Sequence, residues 1–462
     1  MIASIGKGVF TLNNIIDEKG KRIALIIADI AIITLSYLLA FYIRSETYVY
    51  RNWESFLVLL PWIMLISAFF FAVYEVNPSR RKKFFDYVGS ILISTISITV
   101  TTMAASFFFR AFGMPRSVIL MSFFFSIILL TLWKMVVIYI KKQASPEKIL
   151  LICGIRERGK LIFQVKDTFT SDVNIEFIDY NSPINKIYEA IQRSESVILG
   201  AKDNDEKKTG LIYHAFKNNK NLYLVPSFYD LLLSKSDITP FDDTMSLSIK
   251  PFGLTIDQQI MKRTFDIIVS ILVLPFLIPF FILGMILIKV QEPRGAIFYS
   301  QARLGKDNKE FHILKFRTMI ENAEGKTGPT LATDDDPRIT KIGKFLRATR
   351  IDELPQIFNV LKGEMSIVGP RPERSYFIEK FEKDISSYQY RNTVKPGITG
   401  YAQIMGKYTT SVVDKLRFDL HYIRNYSLMF DIIIILRTLL VLVDKTKSEG
   451  VKEEKQRKKQ LT

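Results

Sequence analysis

The sequence contains very little cysteine and histidine. Among its 462 residues, Cys153 is the single cysteine, and His214, His312 and His421 are the only histidines. A lone cysteine excludes an internal disulfide framework and suits a reducing compartment. Histidines this far apart disfavour a histidine-rich zinc site and a Ser-His triad. A signal-peptide shape is also absent, because the first apolar run begins late and is too long for one.

Hydrophobic residues and positive charge are what the chain has in excess. It is 48% hydrophobic and 13% aromatic, with a mean hydropathy of +0.16, which fits a protein that is part membrane and part cytosolic. The net charge of +17 suits nucleic acid, anionic lipid headgroups or phosphorylated substrates. Apolar runs of membrane length favour the last two partners, so we expect no nucleic acid.

Four apolar segments in the first third of the chain predict a four-helix transmembrane bundle. Each segment has about 20 residues or more, enough to cross a bilayer as a helix. Basic residues cluster at 80–83 and 141–142, so the positive-inside rule places both ends of the bundle in the cytoplasm. The segments are 23–43, 55–76, 87–109 and 117–140.

Asp29 lies inside the first of these segments. An acidic side chain within a membrane is a functional candidate. The alternative, which we favour, is that Asp29 faces another helix and forms hydrogen bonds there. The sequence reveals no partner for it.

Residues 146–250 alternate short apolar runs with helical patterns, which predicts a small parallel, Rossmann-like α/β domain. The first run is followed by Gly154 and Gly159, but Arg156 stands where the dinucleotide fingerprint has its second glycine. The pattern therefore favours a structural or regulatory domain that binds no NAD. Arg156 and Arg158 at the helix start remain candidates for holding another anion.

A fifth apolar segment, about 263–290, contains Pro275 and Pro279 in its middle. Each proline removes a helix hydrogen bond. The chain that follows is rich in cations, which the positive-inside rule keeps in the cytoplasm. We therefore expect a re-entrant helix that breaks in the membrane and returns, and an ordinary kinked spanning helix is the alternative.

Asp352 and Glu353 are adjacent carboxylates within a dense group of cations. Acids among bases are typical of phosphate-handling sites, where cations hold the substrate and carboxylates supply a nucleophile or a metal ligand. One interpretation is that one carboxylate attacks phosphorus and the other binds a divalent cation. The other is a helix start, with Asp352 as N-cap and Pro355 in the first turn. The cations are Lys341, Lys344, Arg347, Arg350, Lys362 and Arg371.

Further candidates flank this pair. Arg371 stands between two prolines, which would present its guanidinium in a fixed geometry. Arg303, Lys315 and Arg317 are either substrate-binding cations or a surface patch for anionic lipids. Residues 428–443 predict an in-plane amphipathic helix, and the charged segment 445–462 is expected to be disordered.

Several ordered blocks resemble the bacterial sugar transferase family, the polyprenyl-phosphate hexose-1-phosphate transferases. The layout is similar to the long form of that family: residues 1–145 as the bundle, 146–250 as the Rossmann-like domain and 251–444 as the catalytic domain. The resemblance implies a mainly α catalytic domain with a re-entrant helix and amphipathic interfacial helices. The blocks are KRTFD at 262–266, KFRTM at 315–319, DELPQ at 352–356, GPRP at 369–372 and PGITG at 396–400.

The resemblance implies transfer of a hexose-1-phosphate from a UDP-sugar, with glucose or galactose expected, to undecaprenyl phosphate. UMP would leave, and the step would begin exopolysaccharide, capsule or O-antigen synthesis at the bacterial inner membrane, with the middle and catalytic domains on the cytoplasmic side. Asp352 would form an aspartyl-phosphosugar, and Glu353 would help to hold Mg²⁺. The implied substrate-binding residues are Arg303, Lys315, Arg317, Arg350, Arg371 and Gln403.

One position departs from the family pattern, because Ile278 precedes Pro279 where relatives often have serine. Two other functions stay open: a membrane glycosyltransferase that moves only the sugar and releases UDP, and a non-catalytic scaffold for polysaccharide assembly. Anionic lipids, a second copy of the chain and other polysaccharide assembly proteins are the remaining expected partners.

Overall fold

The computed structural model describes residues 18–44, 50–77, 84–109, 115–142, 146–168, 173–201, 206–320, 336–407 and 410–443. Their contacts divide the chain into two units, residues 1–225 and 226–462. This boundary differs from the predicted one at residue 250, since Leu231 packs in the core of the second unit. Arg424 of that unit also donates hydrogen bonds to the carbonyls of Leu232 and Ser234, at 2.6 and 2.9 Å. The predicted tail, 445–462, lies outside the described residues.

Four long helices begin the first unit, and each contains a stretch apolar enough to cross a membrane. Helix α1 contacts α2 and α4, and α3 contacts the same two helices, so the four pack as a ring. The four predicted helices are therefore present. They are α1 (Glu18–Ile43), α2 (Tyr50–Val73), α3 (Phe84–Phe108) and α4 (Arg116–Lys142).

Asp29 is fully buried and does face another helix. Lys134 Nζ of α4 lies 2.7 Å from both carboxylate oxygens of Asp29, and 2.6 Å from Asn77 Oδ1. Asn77 also donates to Asp29, and all three side chains are buried. A buried charge is tolerated when it is paired and hydrogen-bonded, so this cluster joins α1, α4 and the segment after α2. The favoured structural interpretation of Asp29 is confirmed.

The remainder of the first unit is a parallel sheet, as the sequence predicts, and its four strands lie in the order β2-β1-β3-β4. The central strand β1 is buried from Ile149 onward, and Leu151 pairs with Phe177 on one side and Ile198 on the other. The elements are β1 (Lys148–Cys153), α5 (Ile155–Thr168), β2 (Asn174–Asp179), α6 (Ile184–Arg193), β3 (Ser196–Leu199), α7 (Glu206–Lys217) and β4 (Asn221–Leu224).

The described part of the second unit is mainly helical, as expected, with three two-stranded sheets that the sequence did not predict. Strand pairs β5–β6 and β7–β8 are antiparallel, and β9–β10 is parallel. The elements are α8 (Phe228–Leu233), β5 (Asp237–Phe241), β6 (Thr244–Ser248), α9 (Ile256–Gln291), β7 (Phe298–Leu304), β8 (Glu310–Phe316), α10 (Lys341–Ala348), α11 (Gln356–Lys362), β9 (Ser366–Val368), α12 (Ser375–Asp384), β10 (Gly397–Thr399), α13 (Tyr401–Met405), α14 (Val412–Arg424) and α15 (Leu428–Val443).

Helix α9 is the fifth candidate membrane helix, and it has 36 residues. Its backbone stays helical through Pro275 and Pro279, so the chain has no non-helical gap at these prolines. The expected interruption is therefore absent at the level of secondary structure. Where the helix runs relative to a membrane stays a prediction.

Candidate active site

The two adjacent carboxylates lie in a short 3₁₀ turn, Ile351–Glu353, just before α11. The preceding Arg350 has a left-handed backbone, with φ of 58°. Asp352 does not cap α11, since Pro355 occupies the N-cap position and no side chain caps the helix there. Asp352 and Glu353 are only 7% and 9% exposed. The helix-cap interpretation of Asp352 is therefore wrong, and its burial needs another explanation.

Glu353 is held by two cations. Lys315 Nζ and Arg371 Nη2 donate to the same oxygen, Glu353 Oε1, at 2.9 and 2.8 Å. Burial alone would raise the pKa of Glu353, but the charges of Arg371 and Lys315 hold that pKa well below its usual value. Glu353 is therefore a permanent carboxylate that fixes both cations.

Asp352 has the opposite environment. Its Oδ1 is buried and has no hydrogen-bond partner among the described residues. Burial, followed by the charge of Glu353, raises the pKa of Asp352 to about 6. An unpaired buried carboxylate is costly, and neighbouring carboxyls with separated pKa values are a mark of a catalytic pair. At neutral pH Asp352 is mostly ionised and free to react.

Other cations surround the pair. Arg350 and Arg347 lie close enough for their charges to oppose the rise in the pKa of Asp352. Arg347 also donates from Nε to Thr318 Oγ1 at 2.9 Å, which ties α10 to the chain after β8. Of the predicted substrate-binding residues, Lys315, Arg350 and Arg371 are thus brought together around the carboxylates. Arg347, which was expected only as a neighbouring cation, joins them.

The other three predicted residues have different partners. Arg317 pairs with Glu292, so its charge is already engaged. Arg303 donates to Gln301 Oε1 at 2.8 Å and to the carbonyl of Pro372 at 3.3 Å, which places it beside the Arg371 loop. Gln403 donates to the carbonyl of Ile398 at 3.3 Å, while its buried Oε1 has no partner in the described part of the chain.

Arg391 supports Arg371, a role that no pattern in the sequence indicates. Its Nη2 donates to the backbone carbonyl of Arg371 at 2.8 Å and lies 3.0 Å from Asp419 Oδ2. Its Nη1 donates to Tyr388 Oη at 2.6 Å. Arg391 and Asp419 are 5% and 3% exposed. No local pattern links residues 20 or more positions apart, so only the fold reveals this support.

The backbone carrying Arg371 is fixed by the close approach of β9 and β10. Gly369 N donates to the carbonyl of Thr399, and Gly397 N donates to the carbonyl of Pro370, both at 2.9 Å. A Cβ at Gly397 would collide with the backbone of Gly369. Glycine is therefore needed at Gly397 to let the two loops meet behind Arg371.

The first turns of α9 are bound tightly to the same unit. Lys262 Nζ donates to Asp431 Oδ2 at 2.6 Å and to Tyr422 Oη at 3.0 Å. Asp266 Oδ1 accepts from Ser366 Oγ at 3.0 Å, at the start of β9. Asp431 is fully buried in this cluster, so it does not contribute to a polar outer face of α15. The helix predicted at 428–443 is present, while its position in the membrane plane stays a prediction.

The two carboxylates do not by themselves form a complete binding site for a divalent cation. The described residues contain no group of three or more His, Cys, Asp or Glu side chains able to hold a metal. Mg²⁺, however, commonly uses one or two carboxylates together with substrate phosphates. Asp352 Oδ1 has no partner, and both cations on Glu353 bind its Oε1 rather than Oε2. The donor set therefore fits an Mg²⁺ site that the substrate completes.

Comparisons with known proteins identify the class. A family model described as "Bacterial sugar transferase" matches residues 257–445. The exopolysaccharide production protein ExoY of Sinorhizobium fredii is 39% identical over 206 residues, which are 42% of this chain and 87% of that protein. The chain belongs to the bacterial sugar transferase family.

Two longer relatives have more specific names. A UDP-N-acetylgalactosamine-undecaprenyl-phosphate N-acetylgalactosaminephosphotransferase of Aeromonas hydrophila is 42% identical over 186 residues, 40% of this chain and 44% of that protein. A UDP-glucose:undecaprenyl-phosphate glucose-1-phosphate transferase of Escherichia coli (strain K12) is 36% identical over 234 residues, 50% of each chain. The chain thus spans about half the length of these two relatives.

Proposed function

We propose that this protein transfers a hexose-1-phosphate from a UDP-sugar to undecaprenyl phosphate and releases UMP, as the first membrane step of polysaccharide synthesis. The observation that carries the proposal is the buried Asp352, whose Oδ1 has no partner, beside a Glu353 engaged by two cations. The names of the Aeromonas hydrophila and Escherichia coli relatives, which act on UDP-sugars and undecaprenyl phosphate, support it.

In the proposed reaction an oxygen of ionised Asp352 attacks the phosphorus that carries the sugar. The bond from that phosphorus to the UMP oxygen breaks, and UMP leaves with the electron pair. An oxygen of undecaprenyl phosphate then attacks the same phosphorus and displaces Asp352, which regenerates the carboxylate. Arg371 and Lys315 offset the negative charge that accumulates during both steps.

Glu353 is the residue that would hold Mg²⁺ in this proposal, with the substrate diphosphate completing the site. The cation would neutralise part of the negative charge of the diphosphate. Because Glu353 already carries Lys315 and Arg371 on Oε1, it would align these cations and the metal on one substrate.

A re-entrant path for α9 is part of the proposal. Lys262 and Asp266 contact α15 and β9, while Phe281 packs against Phe316 with ring centroids 5.7 Å apart. Only residues 267–280 lie between these contacts, a helical length of about 21 Å. That is shorter than the ~30 Å hydrocarbon core, and two leucines within the stretch pack against the same core cluster as Phe281. A helix held to one unit at both ends and in between favours a path that stays on one face of the membrane.

Product analysis tests the reaction. Purified membranes supplied with a panel of UDP-sugars should release UMP, whereas release of UDP would indicate transfer of the sugar alone. Asp352→Asn and Glu353→Gln should each abolish incorporation of the sugar into lipid. If both variants keep full activity, the carboxylate pair is not catalytic and the scaffold function gains support.

Topology has its own test. Cys153 is buried, so a new cysteine at an exposed position near Asp352 gives a selective label. We expect labelling only from the cytoplasmic side of sealed vesicles. Labelling from the outside would contradict re-entry without affecting the assignment of the reaction.

A further inference from the structure

A cavity of about 190 Å³ opens at the carboxyl edge of the parallel sheet in the first unit. The residues that line the cavity lie at or just after the carboxyl ends of three strands, β1, β2 and β3. Gly154 comes directly after β1, Tyr180 and Asn181 follow β2, and Gly200 follows β3. The proposed transfer reaction uses none of these residues.

The position of the cavity is set by the strand order. Strand β1 lies between β2 and β3, so the chain leaves β1 first toward one side of the sheet and later toward the other. Loops that diverge in this way leave a crevice at the carboxyl ends of the strands, which is where open α/β sheets bind ligands. The cavity therefore lies at the topological switch point.

The first turn of this crevice is unsuited to a diphosphate. Arg156 replaces the glycine that would let a pyrophosphate approach the backbone. The Glu157 carboxylate projects over the end of β3, because its Oε2 would lie 3.1 Å from a Cβ placed on Gly200. No hydrogen-bond donor from the described residues meets this carboxylate. An unpaired carboxylate repels phosphate and accepts hydrogen bonds from hydroxyl groups.

A second acid lies at the same edge. Asp179 ends β2, and its Oδ1 accepts from the backbone N–H of Asn181 at 2.6 Å. Burial, followed by the charges of Glu157 and Asp179, raises the pKa of the Cys153 thiol to about 11, which places both carboxylates close to the end of β1. In dinucleotide-binding sheets the acid that binds the ribose hydroxyls stands about 20 residues after the glycine turn, which is the position of Asp179 here. Because Asp179 Oδ1 already accepts from Asn181, we assign that role to the Glu157 carboxylate at the same edge.

We infer that this cavity binds an uncharged nucleoside, with Glu157 accepting hydrogen bonds from the ribose hydroxyls. Its volume of about 190 Å³ is below the ~300–1,000 Å³ of pockets that enclose larger ligands. A cavity of this size holds a group about as large as a nucleoside, so most of a dinucleotide would lie outside it. The inferred ligand of the first unit is thus one that its incomplete glycine fingerprint does not indicate.

Calorimetric titration of the full-length protein in detergent micelles tests this inference, with adenosine as the probe. Adenosine avoids the uridine group that the proposed transfer site would recognise. We expect binding of adenosine, and binding about tenfold weaker or more for 2′,3′-dideoxyadenosine, because a site left with an unpaired carboxylate discriminates strongly. Glu157→Gln should weaken adenosine binding to a similar extent.

Glu189→Gln is the matched control, since Glu189 is an exposed glutamate on α6 whose side chain pairs with Arg193. It should bind adenosine as the wild type does. The inference fails if millimolar adenosine does not bind, if the dideoxy compound binds equally well, or if Glu157→Gln leaves binding unchanged. Tighter binding of NAD than of adenosine would overturn the uncharged class of ligand. The comparison of the two nucleosides uses wild-type protein, so it is independent of how well the variant folds.

Discussion

Replacing Asp352 by asparagine should abolish transfer and, at the same time, stabilise the folded protein at neutral pH. The carboxyl of Asp352 is 7% exposed, and its Oδ1 has no hydrogen-bond partner in the described structure. Keeping this group ionised inside the protein costs free energy that an asparagine avoids. A catalytic group and a structural group are thereby distinguished by the sign of the effect on stability.

The magnitude follows from the pKa of Asp352, which burial and the charge of Glu353 raise from 3.8 to about 6. Each pKa unit corresponds to about 1.4 kcal/mol, so ionisation of Asp352 costs about 3 kcal/mol at about pH 7.5. Because the folded-state pKa is raised, the protein is free of this cost below about pH 4, acquires it as pH rises from about 4 to about 6, and bears it in full at higher pH. A buried, poorly bonded asparagine amide offsets about 1 kcal/mol of the gain.

Thermal unfolding of the purified protein in micelles measures this effect. A net gain of about 2 kcal/mol should raise the unfolding temperature by roughly 4–8 °C at about pH 7.5. The gain should fall to less than half at about pH 5, where folded Asp352 is already mostly protonated. Loss of transfer activity by the same sample completes the measurement.

Asp419→Asn is the control with the opposite expected sign. Burial also raises the pKa of Asp419 to about 6, but its Oδ2 lies 3.0 Å from Arg391. Removing it leaves a buried arginine unpaired, which should destabilise the fold by about 3–5 kcal/mol. The reasoning is refuted if Asp352→Asn lowers the unfolding temperature as Asp419→Asn does. A gain that is equal at both pH values would refute the electrostatic cause.

Three further outcomes follow from the same contacts. Transfer by the wild type should decline as pH falls below about 6, since Asp352 must be ionised to attack; a rate unchanged down to about pH 5 would contradict its role. Arg391→Lys should lower the turnover number about tenfold or more, with a smaller change in KM, because lysine cannot reproduce the contacts that fix the Arg371 carbonyl. Steady-state kinetics measures both constants. Lys134→Met should lower the free energy of unfolding by about 3–5 kcal/mol, because it leaves Asp29 unpaired. Adding Asp29→Asn should recover part of the lost stability, as measured by thermal unfolding. An unaltered unfolding temperature in Lys134→Met would argue against the ion pair.

The features that the sequence predicted well depend on local periodicity. The four membrane segments and the strands of the parallel sheet appear close to their predicted positions, because runs of apolar residues determine both kinds of element. The two units divide at residue 225 rather than at the predicted residue 250, because long-range contacts such as those of Arg424 attach the segment after residue 225 to the second unit. Apolar patterning alone does not show which core a short helix such as α8 joins.

The candidate active site shows the same contrast between residues identified from local sequence and contacts that depend on the fold. The sequence identified Asp352 and Glu353 as a pair, and their chemistry follows from residue type. It could not assign the cations, because Lys315 and Arg371 bind Glu353 whereas Arg317 binds Glu292. Nor could it exclude a helix cap, since that depends on the 3₁₀ turn that contains Asp352 and ends before α11 begins.

The cluster around Lys262 couples the movement of α9 to the loop that carries Arg371. Lys262 and Asp266 fasten its first turns to α15 and to β9, and β9 leads directly into the loop that carries Arg371. A tilt of α9 within the membrane, where the proposed function places it, would therefore move that loop, and bilayer thickness is one of the factors that set helix tilt. We expect the transfer rate to vary with lipid acyl-chain length in nanodiscs, and a rate independent of chain length would argue against this mechanical link.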